Sequence, residues 1–304
     1  MGYLFLREKI DQTFLHSKRV LSGMVYAKIQ AIKLFGAKVL NIRQRWSIVP
    51  VFLCVTLVLG CASRQPDRPS DQPGPLVLFS QGQVGTRLPQ GWVSWIVHPT
   101  KKPTRYDMVL DSVNQPDGRS LQQVVLRAQA EASASGLKHR IDLDIHALPV
   151  LRWQWKTEQL IKQADATSRY DDDSPVRIIV SFDGDKSQLP GRDRLFMEKA
   201  RLLAGQEIPY ATLMYIWDNR QPVGQVIPNA FTGRIKKIVA QSGTEGVGRW
   251  HALERNLIED YQRAFGRPPG KLLGIGVMTD TDNTRASTVS YYADISFQPI
   301  RPAP

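Results

Sequence analysis

The feature that most constrains the fold is a succession of short apolar runs, separated by Gly, Pro, Asp and Asn, from residue 76 onward. Short runs with few helix-length segments between them are typical of an antiparallel sandwich and argue against a doubly wound parallel sheet. The predicted strands are Leu76–Phe79, Asp107–Val109, Val124–Gln129, Leu151–Lys156, Val176–Phe182, Ala211–Trp217, Arg234–Ala240, Leu272–Met278 and Val289–Phe297. The sequence therefore predicts a mainly β fold, one jelly-roll-like antiparallel β-sandwich over residues 76–304.

Two helical insertions are predicted within this sandwich. The segment Arg192–Leu203 ends before Gly205, and the segment Trp250–Phe265 ends before Gly266. Glycine is the usual residue just beyond a helix because it adopts the left-handed conformation without strain. The second segment spaces its apolar residues as one helical stripe, formed by Leu253, Leu257, Ile258, Tyr261 and Phe265.

A basic segment and an uncharged apolar run precede the β-rich region. Nine Lys or Arg and two acids lie before Cys61, so this leader carries +7 of the formal net charge of +12. The apolar run Ile48–Leu59 is too short to cross roughly 30 Å of hydrocarbon as a helix. A basic segment, an apolar run and a small residue before the cleavage site define a secretory signal peptide. Residues 1–60 are predicted to be such a signal peptide, with a long basic n-region.

The residues Val58-Leu59-Gly60-Cys61 resemble the bacterial lipobox. The resemblance implies that the Cys61 sulfur receives a lipid such as a diacylglycerol with palmitate chains, and that Cys61 becomes the new amino terminus. The residue after the predicted lipidated cysteine is Ala62 and not Asp. By resemblance to sorted lipoproteins, this favours the outer membrane, with the domain facing the periplasm. The alternative is an uncleaved signal anchor in which the cysteine is incidental.

Residues 61–75 are rich in proline and almost free of apolar side chains. Such a segment stays extended at roughly 3.1 Å per residue, so it predicts a tether between the lipid and the domain. Both cysteines, Cys54 and Cys61, lie in or at the end of the apolar run, so the domain has neither a disulfide nor a thiolate metal site. The concentration of cations in the leader also argues against nucleic acid as a partner.

Strand alternation predicts a cationic face on the sandwich. In Leu151–Lys156 the two-residue period places Trp153 and Trp155 toward the core and the polar residues outward. If this strand neighbours Val176–Phe182, one outer face carries Arg152, Lys156 and Arg177.

A second candidate binding element is Trp217-Asp218-Asn219, at the end of a predicted strand. An aromatic ring beside a carboxylate and an amide can stack on a sugar and bind its hydroxyls. The alternative is a buried tryptophan followed by an Asp-Asn turn.

Two acidic loops carry the candidate metal ligands. Asp280, Asp282 and Asn283 place oxygen ligands within four positions, as Ca²⁺ requires, although the EF-hand glycine and the final acidic ligand are missing. The alternative is a turn capped by these side chains. Asp171-Asp172-Asp173 reads as a solvated loop, which a sandwich can bring close to Asp280 and Asp282.

Several motifs together are similar to the bacterial domain-of-unknown-function family 3047. They are Trp153-Gln154-Trp155-Lys156, Asp172–Arg177, Leu213–Asn219, Glu254–Tyr261 and Met278–Thr284. The resemblance covers nearly all of residues 76–298 and implies no activity. Gly91-Trp92 and Tyr291–Phe297 also look like the first and last strands of galactose-binding-like jelly rolls, which suggests a carbohydrate-binding type of sandwich.

These patterns favour an envelope-anchored lipoprotein whose domain is a non-catalytic binding module for a glycan or an anionic polymer. The sequence contains no Gly-x-Ser-x-Gly, His-Glu-x-x-His or nucleotide-binding motif. An alternative is a hydrolase that acts on envelope carbohydrate through a pair of carboxylates. The acids considered for it are Asp171, Asp173, Asp218, Asp280 and Asp282. A structural lipoprotein that docks a protein partner through an exposed apolar patch is a third class.

Overall fold

A computed structural model describes residues 79–115, 117–204 and 207–300. The predicted signal peptide, Cys61, the tether and Leu76–Leu78 lie outside these residues. Among the described residues, no helix has both the length and the hydrophobicity needed to span a bilayer.

The described residues form two β-sheets, with strands numbered along the chain. Sheet A has the order β1-β4-β11-β6-β7-β9-β8 and sheet B the order β10-β5-β12-β3-β2, with β13 also paired to β5. The strands are β1 Trp92–Ile96, β2 Arg105–Asn114, β3 Ser120–Glu131, β4 Ala134–Arg140, β5 Val150–Thr157, β6 Ser174–Phe182, β7 Ala211–Asp218, β8 Val226–Pro228, β9 Ile235–Ser242, β10 His251–Asn256, β11 Leu272–Asp280, β12 Ser287–Tyr292 and β13 Ser296–Gln298. Neighbouring strands are antiparallel except β7 and β9, which are parallel.

The two sheets pack face to face over one large aromatic and aliphatic core. Trp153 of sheet B and Tyr215 of sheet A are both buried, with ring centroids 5.1 Å apart. Trp155, Trp217 and Tyr292 are buried in the same cluster. Burial of rings of this size contributes strongly to core energetics, so contacts of this kind hold the two sheets together. The predicted jelly-roll-like β-sandwich is confirmed.

The predicted strands from Asp107–Val109 to Leu272–Met278 all overlap observed strands, but β2 and β3 are longer than predicted, with 10 and 12 residues. The predicted strand Val289–Phe297 is divided into β12 and β13, and Phe79 begins a 3-10 turn, Phe79–Gln81. Strands β1, β4 and β8 are absent from the predicted strands, and β4 contains no β-branched residue that would have indicated it. A Cβ at Gly136 of this strand would lie 2.6 Å from the Val277 carbonyl oxygen, so only glycine lets β4 approach β11 this closely.

The first insertion is helix α1, Gly191–Ala204, close to the prediction. The second prediction is wrong in its first half, because residues 251–256 form β10, which pairs with β5 along its whole length. Helix α2 is Leu257–Phe265. It begins where the Asn256 side chain accepts hydrogen bonds from the Ile258 and Glu259 backbone N–H groups, and it ends at Gly266, whose φ is 71°.

Candidate functional site

The outward surface of sheet B, here called the sheet-B face, is formed by the side chains that point away from the core. Alternation along the strands gives its members, since each strand sends every second side chain outward. They include Asp107 and Asp111 of β2, Val125, Arg127 and Gln129 of β3, Arg152, Gln154 and Lys156 of β5, Val289 and Tyr291 of β12, and Glu254 of β10, with Trp250 just before β10.

Contacts across this face show that it is concave. Lys156 of β5 forms an ion pair with Asp111 of β2, although β12 and β3 lie between these strands. Three strand spacings amount to about 14 Å in a flat sheet. The two side chains meet across this span because the edges of the sheet curl toward each other on this side.

Aromatic rings line one part of the concave face. The Lys156 ammonium lies 4.3 Å from the centroid of the Tyr291 ring and 5.4 Å from that of the Trp250 ring. Trp250 packs in a small cluster with Val113, Val125 and Ala293, separate from the main core. Burial raises the pKa of the Tyr291 hydroxyl, so this group stays protonated and able to donate a hydrogen bond at neutral pH.

The cations on the face are held by acids of neighbouring strands. Arg127 donates two hydrogen bonds to Asp107, of 3.0 Å and 2.6 Å, and this bidentate contact raises the pKa of the guanidinium. Arg152 forms an ion pair of 2.5 Å with Glu254, its cross-strand neighbour. Such pairs fix the side chains in place.

Several buried polar atoms on the sheet-B face have no hydrogen-bond partner. Among the described residues, eight buried side-chain nitrogen or oxygen atoms are unpartnered, and four of them lie on this face. They are Gln129 Oε1, Gln154 Oε1, Arg152 Nε and Trp250 Nε1. A buried polar atom without a partner costs free energy and calls for an explanation, such as a ligand that completes it.

A cleft opens at the end of the face where β2 begins and β3 ends. Its volume is about 530 Å³, within the range of ligand pockets. The polar and charged residues in its walls include Lys102, Arg105, Gln129, Glu131, Glu158 and Ser287. Gln129 therefore belongs both to the cleft and to the set of unpartnered atoms.

The structure separates the three cations that the sequence placed together. Arg152 and Lys156 lie on the sheet-B face, whereas Arg177 lies on β6 in sheet A and is buried. The prediction that the three share one face is wrong, because β5 and β6 follow each other in the chain but belong to different sheets.

Trp217, Asp218 and Asn219 form the end of β7 and the turn that follows. Trp217 is 1% exposed, and its indole N–H donates to the Gly243 carbonyl oxygen, so no ring face is available to a sugar. Asp218 accepts the backbone N–H groups of Arg220 and Gln221. Asn219 donates to the carbonyl oxygens of Ile161 and Ala164. This segment is therefore a buried tryptophan followed by an Asp-Asn turn, which was the alternative to a sugar-binding element.

The two acidic loops do converge. Carboxylate oxygens of Asp173, Asp280 and Asp282 lie within 4.8 Å of one another. Arg177 donates to Asp280 at 2.7 Å and 3.0 Å, and Lys101 pairs with Asp282. Calcium binding at Asp280, Asp282 and Asn283 stays a prediction.

The environment of these acids is already occupied by protein donors. Asp173 accepts hydrogen bonds from Thr284 and from the backbone N–H of Asn283. Burial raises the pKa of the Asp280 carboxyl to about 7, against the opposing effect of Arg177. A calcium ion here would need an ionised Asp280 and would compete with Arg177 and Lys101.

Fold and site together define a β-sandwich protein with a concave polar face on one sheet. The chain belongs to the family "Protein of unknown function (DUF3047)", whose model matches residues 90–296. This confirms the resemblance seen in the sequence. Among curated proteins, none matches the chain.

Solved structures with a similar arrangement of strands include three with 8–9% sequence identity. A family 11 carbohydrate-binding module of Clostridium thermocellum cellulase Lic26A-Cel5E has a TM-score of 0.36, with 75% of this chain and 95% of that chain covered. The xyloglucanase domain of NopAA from Sinorhizobium fredii has a TM-score of 0.37, with 71% and 100% covered. Trichoderma harzianum endoglucanase 3 has a TM-score of 0.36, with 75% and 96% covered.

Proposed function

We propose that this protein is a non-catalytic glycan-binding module, that the sheet-B face is its binding surface, and that a lipid on Cys61 anchors it to the cell envelope. Arg152 and Lys156 remain part of the proposed surface, whereas Arg177, Trp217, Asp218 and Asn219 do not, because they are committed to contacts inside the sheet-A side of the fold.

The observation that carries the proposal is that one concave face holds four of the eight unpartnered buried polar atoms of the described residues, together with the rings of Trp250 and Tyr291. These atoms have almost no accessible surface in the free protein, so a polyhydroxyl ligand would bind them once the side chains turn toward the face, with donors to the two glutamine oxygens and acceptors to Arg152 Nε and Trp250 Nε1. The partly exposed Tyr291 beside Trp250 adds apolar surface of the kind that packs against sugar rings. The cleft at the Gln129 end gives the ligand a place to enter the face.

The hydrolase alternative is less well supported. Asp173, Asp280 and Asp282 are near one another, but each already accepts a hydrogen bond or ion pair from the protein. Asp218 caps its own turn, and Asp171 accepts a hydrogen bond from Ser168. Each of these five acids therefore has a contact within its own loop or with a neighbouring segment that explains its position without a catalytic role.

The test exchanges the two unpartnered glutamines for methionine, a side chain of similar length. We expect Gln129→Met and Gln154→Met each to weaken binding about fivefold, since each exchange removes one hydrogen bond worth about 1 kcal/mol. Binding is measured by affinity electrophoresis of the full-length protein, in mild detergent, through gels that contain dextran, mixed-linkage glucan, galactomannan, alginate or heparin.

Gln122→Met is the matched control, because Gln122 lies on the same strand as Gln129 but on the opposite side and is exposed. A binding role also predicts that the two face variants unfold at the same temperature as the wild type or higher, because each loses a buried unpartnered atom. Unaltered migration of the wild type in all five gels would refute the proposal, as would equal binding by wild type and both face variants.

A further inference from the structure

The charges on the sheet-B face indicate whether its ligand is a neutral glycan or an anionic polymer. Each cation on the face or in its cleft has a carboxylate partner. The pairs are Lys102–Glu131, Arg105–Asp107, Arg127–Asp107, Arg152–Glu254, Lys156–Asp111 and Lys156–Glu158. Five cations therefore meet five acids, and the net charge of these paired groups is zero.

The pairing leaves little attraction for an anionic group. Arg127 presents two of its donors to Asp107, and Lys156 is enclosed by Asp111 and the rings of Trp250 and Tyr291. A carboxylate or sulfate that approached either cation would also approach the acid beside it. Interfaces that bind polyanions depend instead on an excess of positive potential.

The unpartnered atoms point the same way. Two of them, on Gln129 and Gln154, are acceptors, and the other two, on Arg152 and Trp250, are donors. These atoms are buried in the free protein, and once their side chains turn toward a ligand a hydroxyl group can serve all four, because it both donates and accepts. An ionised carboxylate or sulfate only accepts, and beside the two glutamine oxygens it would add repulsion.

We infer that the ligand of the sheet-B face is an uncharged polysaccharide chain and not a polyanion. This inference rests on the proposed function and narrows it, because the face was first expected to bind either a glycan or an anionic polymer. The acids of the face act as specificity residues: they neutralise the cations and thereby exclude acidic polymers.

The test compares neutral with acidic polymers at two salt concentrations. Full-length protein in mild detergent is run through gels that contain dextran, mixed-linkage glucan or galactomannan, and through gels that contain alginate or heparin. We expect retardation by at least one neutral polymer, equal at 50 mM and about 500 mM salt, because contacts without net charge are not screened. We expect no retardation by alginate or heparin.

The decisive variant is Glu254→Gln, which removes the negative charge that pairs with Arg152. Glu254 is exposed, so the exchange has little effect on folding. We expect this variant to gain at least threefold retention in heparin gels at low salt and to lose it at high salt. The matched control is Glu207→Gln, which frees Lys186, an exposed cation away from the sheet-B face, and which we expect to show no such gain.

Three results would decide the matter differently. Stronger retention of the wild type by alginate or heparin than by every neutral polymer overturns the inference and leaves the proposed glycan-binding function in place. Equal gains by Glu254→Gln and Glu207→Gln also overturn it, because the effect would then come from total charge. Retention by no polymer of either class overturns both the inference and the proposed function.

Discussion

Arg177 shows how far a residue's surroundings can depart from what its strand position suggests. Alternation placed it outward, and it does point away from the main core, but the loop that carries Asp172 covers that side of sheet A. Its guanidinium pairs with Asp280 and Asp172, and the residue is 3% exposed. Lys237 is buried beside it and donates to Asp172 and to the Ala166 carbonyl oxygen. The two cations hold the acidic loop against the sheet.

We expect Arg177→Met to lower the free energy of unfolding by about 3–5 kcal/mol, because it leaves Asp280 buried without its cation. The double variant Arg177→Met/Asp280→Leu should recover part of this loss, since apolar side chains then replace both charges. Urea unfolding followed by tryptophan fluorescence measures both. Lys271→Met, which breaks the exposed pair with Asp142, is the control and should change stability by less than about 1 kcal/mol. A double variant no more stable than the single one would contradict this account.

At the scale of the element, the segment from Trp250 to Phe265 contains two kinds of structure that share one apolar pattern. Leu253 faces the core from β10, opposite Trp153, and Tyr261 faces it from α2. A spacing of three and four residues fits a single helix, but the edge of sheet B offers β10 a complete set of backbone hydrogen bonds with β5. The pairing with β5 decides the conformation up to Asn256, where the helix begins.

The cap at Asn256 is therefore expected to contribute directly to stability. Asn256→Ala removes the oxygen that accepts the Ile258 and Glu259 N–H groups, and should cost about 1 kcal/mol in the free energy of unfolding. Asn256→Asp retains the acceptor but replaces the amide that donates to Glu259 with a carboxylate oxygen, so it should lose less stability than Asn256→Ala without matching the wild type. Urea denaturation distinguishes the two. Equal stability of the Ala and Asp variants would show that α2 does not depend on this cap.

At the scale of the whole molecule, the described residues form a sandwich with a polar face on sheet B, and the proposed lipid on Cys61 would attach the protein to the membrane. The proposed binding face and the proposed anchor involve separate parts of the chain, so each can be altered without the other. This separation gives the anchor its own test, independent of ligand binding.

We expect Cys61→Ser to abolish incorporation of labelled palmitate and to move the protein from the membrane fraction to the soluble fraction. Several acyl chains on one residue hold a protein firmly at a bilayer, whereas a single chain does so only marginally. Cys54→Ser is the matched control, because it removes the other cysteine within the apolar run and should leave lipidation intact. Mass spectrometry that finds an intact, unacylated amino terminus on the wild-type protein would exclude the anchor.

The sequence by itself determined the β class, most strand positions and the helix end at Gly266, because these depend on alternation, turn residues and capping within a few positions. It also placed Arg152 and Lys156 on an outer face correctly. Only the tertiary structure decided which strands are neighbours. The separation of β5 from β6, the burial of Arg177 and Trp217, and the meeting of Lys156 with Asp111 all follow from pairings between distant segments, which no local pattern encodes. The sheet-B face exists because five strands from across the chain curl around one side of a sheet.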